Sequence, residues 1–424
     1  MKRILILIFT FTVSFLLLNS CPNSSDDSVE NRIARVEQGL LSEADNPPWK
    51  RMNIVDRMEF HNVPGVSVAV INNYQIEWAK GYGVLEKDSN EPISPETIFQ
   101  TGSIAKSVVA VATLNYIDQG LIELDKDVNA YLISWQLPMN SFMIKEKVTL
   151  RRLLNHHAGV TVHGYRGYSQ GETIPNLQQI LDGAPPANSP PVRVDIVPGD
   201  RFRYSGGGYM IVQQILEDTA QIPFPTIMRN SVLEPWKMNA STFVSPLPEL
   251  YWTRAATGHR TDGQPILGRW HTYPEMGSGA SMWSTPTDMA NFAINVMLSY
   301  LGEPTLVISK ELVTQMLSPQ EDGHGLGLYV GDDGGDRFYF FHDGSTDGYK
   351  SYLLGYPLRG QGLIIMTNGD NGDLLGREII NSVSREYGWF RDNTAIYLGS
   401  TIVVILMLLC ILLYRRIKSK SNNT

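Results

Sequence analysis

The chain has 424 residues, of which 43% are hydrophobic and 18% are charged, and its formal net charge is −8. This composition is typical of a globular protein with a large core, and the length allows one large domain or two small ones. Because no basic cluster lies in the body of the chain, we expect no nucleic-acid partner.

The N-terminal residues are typical of an export signal. An uncharged apolar run, residues 4–18, follows two basic residues and has the length of a signal-peptide core rather than of a membrane span. The residues that end at Cys21 resemble a lipoprotein cleavage site, so residues 1–21 are predicted to be either a lipoprotein signal or an ordinary cleaved signal peptide. Residues 22–45 are polar and acidic at first, which predicts a tether.

The C-terminal residues predict a membrane anchor. Residues 395–414 contain no charge and no proline, and their length matches a helix that crosses the bilayer once. Residues 415–424 include four basic residues and are predicted to be a cytoplasmic tail, because positive charges remain on the cytoplasmic side. The domain at residues 46–390 is therefore expected in the periplasm or outside the cell. The basic residues disfavour the alternative, a buried core helix.

The chain has two cysteines, Cys21 and Cys410, and both lie in the predicted membrane signals. The domain at residues 46–390 therefore has no disulfide, no thiol nucleophile and no thiolate metal ligand. Its stability must come from packing.

The predicted secondary structure begins with a hairpin and a buried helix. Residues 66–71 and 75–79 have the composition of strands and flank a turn at residues 72–73. Residues 104–119 predict a helix that is apolar on nearly every face and ends at Gly120.

The rest of the domain is predicted to return from helices to strands. Residues from about 120 to 290 predict an inserted, mainly helical lobe, and residues 287–298 predict a helix capped by Thr285 or Thr287. Short strands are predicted at residues 325–330, 337–341, 349–356 and 362–366. This order favours an α/β fold of the α+β type, in which an antiparallel sheet joins the first and last strands and is flanked by helices.

One motif predicts chemistry at the start of the buried helix. Ser103 lies where a loop ends and the helix begins, so free N–H groups and the helix macrodipole favour developing negative charge there. Lys106 lies one turn later on the same face, where its amine can reach Ser103 Oγ. A lysine in an apolar site has a lowered pKa and can act as a base. The alternative is a capping serine followed by a solvated lysine, which a buried helix disfavours.

Four segments together resemble one enzyme family. Residues 99–107 are similar to the S-x-x-K region of class C β-lactamases, DD-peptidases and related esterases. Three further segments resemble that family in the same order along the chain, and they are residues 153–160, 198–206 and 341–344. The resemblance implies a β-lactamase/transpeptidase-like fold and an acyl-enzyme on Ser103, with no cofactor and no metal.

The resemblance also implies roles for two further groups of residues. Tyr204 would lie beside Ser103 and Lys106, where the lysine charge would acidify its phenol and allow it to shuttle a proton to the leaving group. Gly344 would lie on the edge strand beside the substrate, and the N–H groups of Ser103 and Ser345 would form the oxyanion hole. His342, Ser205 and Gly206 would complete the substrate-binding residues.

Two of these residues depart from the family pattern. Gly206 replaces the asparagine of Y-S-N, so a carboxamide that would hold the substrate and Lys106 is missing. His342 stands where many β-lactamases have lysine, and a histidine is largely neutral at pH 7. Both changes disfavour β-lactam hydrolysis and favour an esterase, amidase or peptidase.

Three other interpretations compete with this one. Ser169 lies in a G-x-S-x-G sequence, but the surrounding residues predict a loop rather than the strand and helix of a nucleophile elbow. A metalloenzyme would use His156, His157 or His163, whose spacing matches no metal motif and favours a structural role for the first two. The third possibility is an inactive protein that binds the envelope.

The preferred prediction is a membrane-anchored serine hydrolase that acts on an amide, peptide or ester in the cell envelope. A true β-lactamase or DD-carboxypeptidase is the alternative within the family. The substrate, a small molecule or a peptide, and the oligomeric state remain open from the sequence.

Overall fold

A computed structural model of the protein describes residues 28–41, 51–320 and 322–389. The predicted signal peptide, membrane helix and cytoplasmic tail lie outside the described residues. None of the helices within the described ranges combines the length and the apolar character that a membrane span requires.

The fold is built on a six-stranded antiparallel sheet. Its strands are β1 (Gly65–Asn72), β2 (Gln75–Gly83), β5 (Tyr329–Asp332), β6 (Phe338–Thr346), β7 (Tyr349–Tyr356) and β8 (Gln361–Thr367), and a separate pair consists of β3 (Phe99–Gln100) and β4 (Trp283–Ser284). The order across the sheet is β2-β1-β8-β7-β6-β5. Strand β1 pairs with β8, so the first and last strands meet as predicted.

Helices cover both faces of the sheet. They are α1 (Val29–Glu37), α2 (Ile54–Phe60), α3 (Ala105–Asp118), α4 (Leu150–Leu154), α5 (Leu177–Asp182), α6 (Gly206–Ala220), α7 (Phe224–Met228), α8 (Pro286–Leu301), α9 (Lys310–Met316) and α10 (Gly372–Glu386). Alternate residues of β1 enter different cores, as the two-residue period of a strand requires. Val66 and Val68 pack with α1, α2 and α10, whereas Ala69 and Ile71 pack with α3 and α8.

The predicted hairpin, helices and most strands are confirmed. Asn73 and Tyr74 form the turn of the first hairpin with φ of 51° and 59°, the left-handed conformation that a two-residue hairpin requires. Helix α8 begins after Thr285, whose side chain accepts a hydrogen bond from Asp288 N. The strand predicted at residues 325–330 instead begins at Tyr329. Gly325 and its neighbours form a tight turn against the end of α9, so they do not pair with β6.

Two further predictions differ from the structure. Between residues 120 and 285, all of which are described, α6 is the one long helix, and loops and short helices form the rest. Frequent prolines and glycines explain why the predicted lobe is less helical than expected. Part of the predicted tether also belongs to the domain, because α1 packs on α10 and buries Val36 and Leu40.

A buried ion pair connects α2 to α10. The Arg57 guanidinium donates two hydrogen bonds to the Glu378 carboxylate, at 2.6 and 2.8 Å, and the side chains are only 4% and 8% exposed. His61 Nε2 lies 3.1 Å from the same carboxylate. These three side chains therefore connect α2 to α10 on this face of the sheet.

We expect Glu378→Ala to lower the free energy of unfolding by about 3–5 kcal/mol, because Arg57 and His61 would both lose the buried carboxylate that they contact. Urea unfolding followed by circular dichroism measures this loss. The double variant Arg57→Met/Glu378→Leu removes both charges and should recover most of the stability. An equal loss in both variants would show that packing, rather than the loss of the carboxylate from this ion pair, is responsible.

Candidate active site

The predicted nucleophile lies where a short turn of 3₁₀-helix, Gly102–Ile104, leads into α3. The chain reaches this turn through Gly102, whose φ of 53° is left-handed and favours glycine. Helix α3 is apolar and buried around most of its circumference, as predicted. Ser103 remains partly exposed, whereas Lys106, one turn later, is 3% exposed.

Ser103 and Lys106 are in direct contact. Lys106 Nζ lies 3.0 Å from Ser103 Oγ and also hydrogen-bonds to the carbonyl oxygen of Ser278. Burial lowers the pKa of Lys106 to about 7, and the Asp343 carboxylate opposes this shift. A large fraction of the amine is therefore unprotonated near neutral pH, and its lone pair can accept the hydroxyl proton of Ser103.

Tyr204 lies beside this pair, as predicted, but its phenol is not acidified. It shares a hydrogen bond with Ser103, and its ring centroid lies 5.1 Å from Lys106 Nζ. Burial raises the pKa of Tyr204 well above its usual value, and the bond to Ser103 lowers it only in part. The expected acidification fails because burial destabilises the phenolate more than the hydrogen bond with Ser103 stabilises it. Tyr204 is therefore a neutral hydrogen-bond donor.

Ser205 and Gly206 lie behind Tyr204 rather than in the open cleft. Ser205 N–H donates to His156 Nδ1 at 3.1 Å, and Ser205 Oγ accepts a hydrogen bond from Gly208 N at 2.9 Å, which caps α6. Both predicted substrate contacts are buried. Their position supports a different role, which is to hold the backbone that carries Tyr204. His156 is structural, as predicted.

Strand β6 brings a second stretch of backbone to Ser103. Strand β5 pairs with β6 only as far as Phe341, so the following residues form an open edge. A side chain at Gly344 would collide with Thr101 O and Ser351 Oγ, and a Cβ at Gly102 would lie 2.5 Å from Ser345 N. Glycines at these positions therefore allow the backbone of β6 to pass close to the start of α3, and the oxyanion hole at Ser103 and Ser345 stays a prediction.

His342 is buried next to this edge and is neutral, as expected. Its Nδ1 lies 2.6 Å from Asp343 O, so Nδ1 carries the proton. Burial lowers the pKa of His342 to about 3, and Lys106 adds to the effect. The imidazole therefore supplies no positive charge for a substrate carboxylate.

These side chains surround a cleft of about 470 Å³. Its wall consists of Ser103, Lys106, His163, Gly164, Tyr165, Phe202, Tyr204, Ser278, Ala280, Tyr329, His342, Asp343 and Ser345. Sequence reasoning missed Ser278, because its contribution is a backbone carbonyl. It also missed Asp343, although that residue lies inside a recognised segment. Among the described residues, no three His, Cys, Asp or Glu side chains are grouped as a metal site.

Ser169, the serine of the competing G-x-S-x-G interpretation, contacts a histidine that in turn contacts an aspartate. Its other surroundings do not suit a nucleophile. Ser169 Oγ lies 3.4 Å from His271 Nε2, and His271 Nδ1 lies 3.1 Å from Asp347 Oδ2. However, Ser169 N–H donates to the Glu172 carboxylate at 2.6 Å, so a negative charge stands where an oxyanion donor would be needed. Ser169 also lies in a loop outside the wall of the cleft.

Comparison with known proteins identifies the family. A family model described as β-lactamase matches residues 51–380, most of the chain. The chain belongs to the β-lactamase family. This assignment confirms the resemblance that the four segments predicted.

Individual relatives of this β-lactamase-family chain are distant. Protein flp of Staphylococcus aureus (strain N315) is 22% identical over 321 residues, which are 72% of this chain but only 60% of that relative's length. Penicillin-binding protein 4 of Amycolatopsis lactamdurans is 26% identical over 77% of this chain and 86% of its own.

Two solved structures share the fold. The octameric penicillin-binding protein homologue from Pyrococcus abyssi has a TM-score of 0.63 at 23% identity, over 79% of this chain and 78% of that one. The structure of SurE with D-Leu has a TM-score of 0.61 at 20% identity, over 78% and 74%. Both likenesses agree with the predicted β-lactamase/transpeptidase-like arrangement of antiparallel sheet and helices.

We expect Gly344→Ala to slow the labelling of Ser103 by a fluorophosphonate about a hundredfold, because the added methyl group would push β6 away from the nucleophile. Intact-mass spectrometry over time measures the rate. Gly369→Ala is the matched control, since its Cβ would meet no atom closer than 3.4 Å. Equal rates in the two variants would contradict a functional contact between these backbones.

Proposed function

We propose that the protein is a serine hydrolase that forms an acyl-enzyme on Ser103. The observation that supports this most strongly is the 3.0 Å contact between Ser103 Oγ and the amine of Lys106, whose pKa burial lowers to about 7. A hydroxyl next to an unprotonated amine is an activated nucleophile. Family membership supports the same reaction class.

In the first step, Lys106 Nζ accepts the Ser103 proton while Oγ bonds to the substrate carbonyl carbon. The oxyanion that forms would be stabilised by the N–H groups of Ser103 and Ser345. Collapse of this intermediate breaks the bond to the leaving group. Tyr204 gives its proton to that group as it takes one from the neighbouring Lys106 ammonium, so the proton removed from Ser103 leaves with the product and both side chains are restored.

In the second step, water attacks the acyl-enzyme and releases a carboxylic acid. Lys106, again unprotonated, accepts a proton from the water and returns it to Ser103 Oγ as the ester bond breaks. The enzyme is therefore restored without an external acid or base.

We further propose that the substrate is an amide, peptide or ester rather than a β-lactam. A β-lactam or DD-peptide carboxylate needs a cation, and neutral His342 stands where many relatives have lysine. The apolar residues 395–414 and their basic flank support membrane anchoring with the domain outside the cytoplasm. The envelope would then supply the substrate, as part of a small molecule or a peptide.

We expect Ser103→Ala to reduce hydrolysis of an activated ester about 10⁴-fold or more. Lys106→Met, which keeps the length but removes the amine, should cost about 10²–10⁴-fold. p-Nitrophenol release and fluorophosphonate labelling measure the two effects. Ser169→Ala is the control and should label and turn over like the wild type. Labelling that persists in Ser103→Ala would assign the nucleophile to another residue.

The kcat/KM of a neutral ester should rise with pH through about 7 and then level off, because the amine of Lys106 must lose its proton before it can act as a base. The same limb should appear in Tyr204→Phe at a lower plateau, since Tyr204 remains protonated throughout this range. Stopped-flow or steady-state rates between pH 5 and 9 measure the profile. A limb near the ordinary lysine pKa would contradict a desolvated base.

A further inference from the structure

Asp343 is a carboxylate in the cleft, and its side chain has no hydrogen-bond or ion-pair partner among the residues that the structure describes. It lies on β6 one residue before Gly344, with its side chain exposed. Among the described residues, no hydrogen bond or ion pair to its side chain is present, and it is the only acidic residue in the wall of the cleft. Its charge is therefore available to a ligand.

The position of this charge works against the proposed base. The Asp343 carboxylate raises the pKa of Lys106, whereas the base must be unprotonated. A neutral side chain at this position would favour the unprotonated amine more strongly. The negative charge of Asp343 is therefore better explained by a role in the complex with substrate, where another charged group can neutralise it.

Resting on the proposed function, we propose that Asp343 binds a positively charged group of the acyl donor, so that the preferred substrates are esters or amides that carry an ammonium group near the scissile carbonyl. Carboxylate and cation would meet at the wall of the cleft, where the bound acyl group would displace part of the solvent and strengthen their attraction. The cation would lie along the open edge of β6, next to the acyl group held at Ser103.

The neighbours of Asp343 suit a cation. Tyr329 lines the cleft and stacks on Phe341, with ring centroids 5.1 Å apart and planes at 20°. Aromatic faces attract ammonium groups. Lys350, on the adjacent strand β7, is bonded to Ser345 Oγ at 2.7 Å rather than to Asp343.

Binding of such a cation would also activate the base. The titratable groups that face Lys106 are His156, His324, His342, Tyr204 and Tyr209 besides Asp343. Burial lowers the pKa of each of these histidines and raises the pKa of each of these tyrosines, so their neutral forms are favoured near neutral pH. A substrate cation would cancel the effect of Asp343 and lower the pKa of Lys106.

Two esters of equal shape test the proposal with the full-length protein in detergent. One is p-nitrophenyl 4-(trimethylammonio)butanoate, and the other is its neutral isostere, p-nitrophenyl 5,5-dimethylhexanoate. We expect the cationic ester to have a kcat/KM roughly tenfold higher at low salt. The preference should shrink as ionic strength rises. The acid limb of the single-turnover acylation rate should lie at lower pH for the cationic ester.

Asp343→Asn should bring the ratio of the two kcat/KM values close to one and merge the two acid limbs. Asp88→Asn makes the same charge change on an exposed residue outside the cleft and should keep the wild-type ratio. Ser103-dependent turnover with no cationic preference, or with a preference that survives in Asp343→Asn, would overturn this inference and leave the hydrolase intact. No Ser103-dependent turnover of either ester would overturn the proposed function and this inference together.

Discussion

Lys106 extends into the interior, where it is 3% exposed and makes no ion pair with any described residue. Desolvation destabilises the charged form of the amine. This one effect provides an unprotonated base next to Ser103. Its two hydrogen-bond contacts suit a neutral amine, which can donate to Ser278 O and accept from Ser103 Oγ. Because both Ser103 and Lys106 project from the start of one buried helix, their separation is fixed by the helix itself.

The second constraint is steric and concerns the backbone. Strand β6 can pass close to the start of α3 only because Gly102 and Gly344 lack side chains. The shortness of β5 has a related consequence, since it leaves the edge of β6 unpaired beyond Phe341 and open to a substrate. An open edge is ordinarily a site of aggregation, but this one faces a cleft. The sheet therefore supplies an open edge next to Ser103, where the proposed mechanism places the acyl group and the N–H of Ser345.

Local patterns explain what could be predicted from the sequence. The alternating strands of the hairpin, the apolar helix after Ser103 and the spacing of Ser103 to Lys106 depend on neighbouring residues, so periodicity was sufficient. The roles of Ser278 and Ser205 depend on contacts between distant segments and leave no mark in their own sequence. The same limit applies to residues 28–41, whose packing on α10 was hidden by their polar composition. The direction of the Tyr204 pKa shift depends on how deeply the fold buries the phenol, which the neighbouring residues in the sequence do not indicate.

The electrostatics of the cleft connect these observations to substrate choice. In a site that binds an anionic substrate, a cation at the position of His342 would attract the substrate. The same cation would lower the pKa of the lysine base. Here the histidine at that place is neutral, and the next residue, Asp343, is negative. The charge of Asp343 therefore opposes the binding of a substrate carboxylate at this place. A cationic acyl donor resolves the conflict between Asp343 and Lys106, because it compensates the carboxylate at the moment when the amine must be unprotonated.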